Sequence, residues 1–425
     1  MTRRRPTPTA TIAVTMTTVA ALLLTGCSTS GGTSASADPS RAATSAGVFD
    51  ASQTHTISVD IDDADFTAMI TEYLASGDKG WITGTVTVDG TAFTDVGLKL
   101  KGNSSLRSVS ATSTPESVPW RIDLDKYVDG QNIDGYADFV VRASTSETSI
   151  NEAVALDLLR DAGLATERAI ATRFSVNGSA EVLTLVLQNL DDTWQEENFD
   201  DDGTLYKAES GGDYSYRGSD AAAYADAFSV EAGTDDYTPL IDFLDFVNNS
   251  SDAEFAADLS THLDVQAFAT YLALEDLIDN FDDIDGPGNN SFLQYDASSG
   301  VFTVVAWDHN LAFGARNDVG GGGGGARPRG GGGAGGGGGR SGNNELVARF
   351  KADATFSAMY DAALADLRAA LLTGGELDHS VDAWVAVLDT GASDLVDAAT
   401  VAEEADAVRA YADDAATPTA TSAAG

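Results

Sequence analysis

Residues 280–292, NFDDIDGPGNNSF, set three carboxylates (Asp282, Asp283 and Asp285) in four positions and follow them with the paired amides Asn289 and Asn290. No Lys or Arg lies nearby in sequence to offset the acids. Downstream, two β-patterned segments flank a turn at residues 296–300 and lead into AWDHNLAFG. Antiparallel pairing about that turn sets Asn289 and Asn290 opposite Trp307 and Asp308, so that amide oxygens approach the Asp308 carboxylate. Such a donor set suits a hard cation like magnesium, with phosphate oxygens and waters completing the shell. Asp282, across the turn-forming Gly286-Pro287-Gly288, either faces the same cation or stands beside it as a base. A solvated acidic turn, with the amides as ordinary turn formers, accounts for the loop alone. It does not account for Asp308, because an ionised carboxylate in an apolar strand needs a partner.

The elements that must hold these residues are legible from periodicity. DVQAFATYLALEDLIDNF is a helix with Asp264 as N-cap, and it delivers the chain into the acidic loop. TSINEAVALDLLRDAG is a second helix, with a capping Ser or Thr at its start and Gly163 at its end. GWITGTVTVDGTAFTDVGLKLKGNSS alternates around an Asp89–Gly90 turn, and AIATRFSVNGSAEVLTLVLQNL alternates around Asn177–Gly178; both are hairpin patterns. PWRIDLDKY and DGYADFVVRAS continue as strands. Residues 343–412 are helix-periodic, and residues 319–342 form a nearly pure glycine insertion that cannot bury apolar surface and is expected to be mobile. Strand-rich segments precede helix-rich ones, which gives an α+β class in two lobes rather than a βαβ repeat.

Helix, Asp, Asn, hairpin, Asp and then Phe-Gly is also the order of the catalytic parts of protein kinases. LKLKGNSSLR, WRIDLDKYVDGQNIDGYADFVVR, INEAVALDLLRDAG, GTLYKAES, NFDDIDGPGNNSFLQY and AWDHNLAFG together resemble the CotH kinase family, over roughly residues 53–395. The resemblance implies a divergent protein-kinase-like fold that uses ATP and Mg2+ or Mn2+ to phosphorylate Ser or Thr of a protein substrate. Carried over by motif, it makes Asp282 the catalytic Asp, Asn290 a metal ligand with Asn289 beside it, and Asp308 the metal-binding Asp. Glu152 becomes the helix glutamate that pairs with a nucleotide-binding lysine. The sequence departs from the family where Val118 and Pro119 stand in place of a lysine before Trp120, and where Asn151 stands in place of an arginine. Lys101 and Lys207 are then the remaining phosphate-binding cations. An inactive or weak kinase-like surface protein is the alternative this departure leaves open.

The chain as a whole narrows the choice. Its 425 residues carry a net charge of −42, which argues against nucleic acid as a partner because phosphate contacts need clustered Lys and Arg. Four scattered histidines (His55, His262, His309, His379) and one cysteine argue against a zinc site, and no nucleophile elbow marks a Ser-His-Asp hydrolase. A calcium loop is a minor alternative at residues 198–209, with Asn198, Asp200, Asp202, Gly203 and Glu209 at ligand and turn positions. MTRRRPTP and the short apolar run after it end in LTGC, like a bacterial lipobox, with Cys27 as the acylated residue. Residues 1–27 are thus expected to be a lipoprotein signal peptide, 28–52 a flexible tether, and 413–425 a disordered tail. The mature domain would sit on the outer face of the cell membrane, held by its lipid anchor.

Overall fold

The computed structural model describes residues 47–143, 146–199, 203–286, 290–315 and 344–416. The expected signal peptide, Cys27, most of the tether, Asn289, Asp200 and Asp202, the glycine insertion and the last nine residues of the tail lie outside them. Among the described residues, no helix is long and apolar enough to cross a membrane.

Seven strands close into a barrel: β1 (His55–Ile61), β2 (Ile82–Val88), β3 (Thr91–Leu100), β4 (Trp120–Asp123), β5 (Asp138–Val141), β6 (Ala169–Val176) and β7 (Val182–Gln188). Their order is β1-β2-β3-β4-β5-β7-β6, and a parallel β1–β6 pairing, His55 opposite Thr172, shuts the ring. Alternation explains the inside. In β1 the residues Ile57 and Val59 point inward between exposed neighbours, and Val86, Leu98, Trp120, Phe139 and Phe174 complete the filling. Helix α1 (Asp63–Ser76) adds Phe66, Met69 and Ile70 to this core. The chain just before β1 joins it too: Val48 and Phe49 are buried, and Phe49 stacks on Phe139 at 5.5 Å. The expected tether to residue 52 is corrected on this point, because two large apolar side chains at 48 and 49 gain more by burial than by solvation.

The second part is helical around a four-stranded antiparallel sheet of β8 (Thr204–Ala208), β9 (Phe228–Ala232), β10 (Ser291–Asp296) and β11 (Val301–Ala306), in the order β11-β10-β8-β9. Its helices are α2 (Ile150–Asp161), α3 (Asp192–Asn198), α4 (Thr238–Asn249), α5 (Asp252–Asp258), α6 (Val265–Ile278), α7 (Glu345–Ala352), α8 (Ala354–Leu367), α9 (Glu376–Gly391) and α10 (Ala398–Ala416). Helix α6 is apolar nearly all round, and its buried residues include Phe268, Leu272, Leu274 and Ile278, as expected of a central helix. α10 runs to Ala416, past the boundary at 412, so the expected disordered tail does not begin at 413.

The α+β class with a β-rich first part and a helical second part is observed. A closed seven-stranded barrel is not the usual N-terminal lobe of a protein kinase, and the two-lobed kinase-like architecture is not established by this topology. Strand β5 links the parts: Phe139 and Val141 face the barrel core, whereas Val140 packs in the other core. The next residue on the Val140 face is Arg142.

Candidate functional site

The site is built where the end of β5, the start of α2 and the two loops around the β10–β11 hairpin meet. α6 stops at Asp279, whose left-handed backbone (φ 48°) caps the helix through its N–H to Glu275 O. The chain then turns back on itself, and Gly286 N–H donates to Asp283 O at 3.0 Å. A side chain at Gly286 would come within 2.4 Å of Phe281 O and 2.6 Å of Asp282 Cα, so only glycine lets this loop close. The three acids of the loop take different roles. Asp282 accepts from Asn290 Nδ2 at 3.3 Å. Asp283 accepts the Asp285 N–H, and burial followed by the nearby Glu275 pushes its pKa up to about 8. Asp285 accepts the Asn344 N–H at 3.4 Å and so pins the start of α7. Only the first acid faces the amide that follows the loop.

The hairpin register is the one expected from its turn. Ser291 pairs with Ala306 and Asp296 with Val301, which carries Asn290 to the level of Trp307, one residue from Asp308. Asp308 itself has a left-handed backbone (φ 67°), a conformation that non-glycine residues rarely hold. Its Oδ1 accepts from an Arg142 terminal nitrogen, and the same guanidinium holds Glu152 through Nε at 2.9 Å and through a second bond. Burial disfavours the Arg142 charge, but Asp308 and Glu152 outweigh it and raise its pKa.

This corrects one expectation: Glu152 pairs with Arg142, not with a lysine. Val118, where the family's lysine would precede Trp120, is buried at 3% exposure and carries no charge. Arg142 was missed in the sequence, although a guanidinium closing a strand whose four residues are all buried demands a counter-charge. Asn151 has a role as well, donating from Nδ2 to Asn310 O at 2.8 Å and tying α2 to the loop after Asp308.

Lys101 and Lys207 reach the same region from opposite sides. Lys101 lies just past β3, on Asn189 Oδ1 at 3.3 Å and 5.5 Å from the Trp307 ring, and lines a small cavity with Asp308, Arg142 and Asn310. Loss of hydration, reinforced by Lys207, pushes its pKa down to about 7. Lys207, on β8 opposite Phe292, pairs with Glu209 at 3.1 Å. Glu209 also accepts from Ser229, and its neighbours 204–208 are strand, so the last ligand position of the minor calcium loop is already engaged.

Behind the site lies His309, the residue after Asp308. It is fully buried against Glu275 at 3.0 Å; burial opposes its charge, but Glu275 raises its pKa to about 9. Asn280, 3% exposed, has both side-chain amide atoms without a hydrogen bond among the described residues.

Among the described residues, no group of three or more His, Cys, Asp or Glu side chains could hold a metal ion. A cation would therefore depend on an amide oxygen and a ligand's own oxygens. The donors fit that limited demand: Asp308 keeps Oδ2 free of hydrogen bonds among the described residues, one residue past the strand position facing Asn290, and lines a cavity with Lys101 and Arg142. No individually curated protein matches the chain. Residues 98–411, nearly three-quarters of the sequence, match the family model described as CotH kinase protein, and that span takes in the end of β3, Glu152, Lys207, the acidic loop and Asp308; the chain belongs to the CotH kinase family.

Proposed function

We propose that this protein is an exported, membrane-anchored atypical kinase that transfers the γ-phosphoryl group of ATP to Ser or Thr of a protein at the cell envelope. The observation that carries the reading is the hydrogen bond from Asn290 to Asp282, with Asn290 one residue across the hairpin from Asp308, which itself lines a cavity with Lys101. Asp308 and Asn290 would hold Mg2+ or Mn2+, which supplies charge neutralisation at the β- and γ-phosphate oxygens.

The chain's own residues do the rest. Lys101 and Lys207 approach the phosphates from the barrel and from the sheet. Arg142 ties Asp308 to α2 through Glu152. Asp282 accepts the acceptor's hydroxyl proton as that oxygen bonds to the γ-phosphorus. The bond to the β–γ bridging oxygen breaks, and ADP leaves with its electron pair. Catalysis of this kind is mostly positioning and charge stabilisation. The location outside the membrane is supported by LTGC at Cys27, which is like a bacterial lipobox.

A second reading, a catalytically weak or inactive binding protein on the same scaffold, is favoured by one observation. Glu152 and Asp308 already share a cation that does not come from a nucleotide-binding lysine. Transfer of labelled γ-phosphate to candidate envelope proteins and to the chain itself tests both. The kinase reading expects transfer that needs a divalent cation and falls at least ~100-fold in Asp308→Ala. Equal incorporation by that variant, or none by the native chain, favours the second reading.

A further inference from the structure

The sequence has only six lysines against 66 acidic residues, and five of the six are linked by shared ring contacts or by the charge each exerts on the next. Lys79 holds Gly102 O and Asn103 beside Lys101, and it feels the charge of Lys207. Lys99 and Lys101 are two apart along β3 and its extension, so they share a face, and Arg121 stands opposite Lys99 on β4. Beyond them, Lys99 and Lys126 both lie over the Trp81 ring, at 4.6 and 4.7 Å from its centre.

The pairing of these cations is uneven. Arg121 is committed to Asp138, and Lys207 to Glu209. Lys99 and Lys126 have no carboxylate within 4.0 Å among the described residues, in a chain with nearly three acids for every base. Burial lowers the Lys99 pKa, and Arg121 adds to the effect. Glu231 and Asp138 offset part of the Lys99 charge from a distance, while Arg121 and Lys126 oppose it, so two ammonium groups over one ring without a direct carboxylate contact are relieved when an anion arrives. Because both groups sit over the indole, a ligand there meets positive charge rather than a free aromatic face.

Two of the four large apolar side chains exposed among the described residues adjoin Lys126: Tyr127 at 48% and Val128 at 39%. Inorganic phosphate would need the lysines alone. A polypeptide would use both the charges and the apolar neighbours.

We infer that Lys99, Lys126 and Trp81, flanked by Tyr127 and Val128, form a docking surface for an acidic polypeptide segment, which selects acceptors whose Ser or Thr lies near carboxylates. This deepens the kinase reading and rests on it for the word acceptor, but the surface itself is tested by binding alone. The acidity of the chain does not forbid it, since exposed charges more than about 8 Å away are largely screened at physiological salt.

The test uses fluorescence anisotropy with the full chain and three labelled peptides of one length: Asp/Glu-rich around a serine, neutral, and Lys-rich. The acidic peptide should bind at least ~10-fold tighter than the others. Lys99→Gln/Lys126→Gln should remove that preference, Lys99→Arg/Lys126→Arg should keep it, and Lys351→Gln should leave it unchanged. Thermal shift by ATP with magnesium is followed in parallel and should be the same in all variants. Equal binding of the three peptides, or an unaltered preference in the Gln variant, overturns the inference. Loss of the ATP shift in the Gln variant with peptide binding intact would assign the lysines to the nucleotide instead. Salt-sensitive self-association lost in the Gln variant would assign them to a second copy. Absence of any ATP shift in the native chain would end the kinase reading and leave the peptide result standing.

Discussion

At the residue scale the site turns on two cations that behave differently. Arg142 is held charged between Glu152, 2% exposed, and Asp308, so removing it strands a carboxylate in the interior. Arg142→Met should cost about 3–5 kcal/mol in urea unfolding, and Glu152→Gln added to it should recover part of the loss, because the stranded charge is then gone. A double variant no more stable than the single would show that the pair carries no such coupling. Lys101 is the reverse case, a cation discharged by its surroundings. With its pKa lowered to about 7, it is mostly neutral at pH 8 in the free protein. A bound polyphosphate restores the charge, so nucleotide binding at pH 8 should take up close to one proton, and affinity should fall as pH rises from 7 to 9. Calorimetry in buffers of different ionisation enthalpy measures that uptake, and Lys101→Met should abolish it. Uptake unchanged in Lys101→Met would place the proton elsewhere.

At the element scale, the acidic loop can hold Asp282 only because Gly286 leaves room for its own turn. In Gly286→Ala the new Cβ meets Phe281 O and the Asp282 backbone, which must move. Displacement of about an ångström at a catalytic carboxylate costs on the order of 100-fold in rate. The variant should lose that much phosphoryl transfer at a temperature well below its melting point, and a rate near the native one would show that Asp282 is not the acceptor of the proton. The elements around this loop were the legible part of the sequence. The Asp264 cap, the 296–300 turn and the Asn177–Gly178 hairpin each follow from local period and turn chemistry, and the register that brings Asn290 near Asp308 follows from the turn alone. Barrel closure was not legible, since the parallel pairing of β1 with β6 joins segments more than a hundred residues apart with no local signature. The partner of Glu152 was missed for a related reason. Family pattern pointed to a lysine, and the guanidinium that took its place comes from a strand whose buried setting is a tertiary property.

At the scale of the whole molecule, the charge of −42 complicates any search for a bound cation. So acidic a chain repels itself, and any salt should stabilise it by screening, whether or not a site exists. Magnesium therefore has to be compared with sodium chloride at matched ionic strength, in the presence of a non-hydrolysable ATP analogue. Screening alone gives equal melting temperatures in the two salts. A site formed by Asp308, Asn290 and the phosphates adds a term that grows with the logarithm of magnesium concentration above the dissociation constant, about 2.7 kcal/mol at a hundredfold excess. That excess should vanish in Asp308→Asn, while the rise with sodium chloride persists, because one charge in a total of −42 barely alters the repulsion. If magnesium keeps its advantage in Asp308→Asn, the cation binds elsewhere on the acidic surface and the hairpin loses its assigned part in phosphate binding.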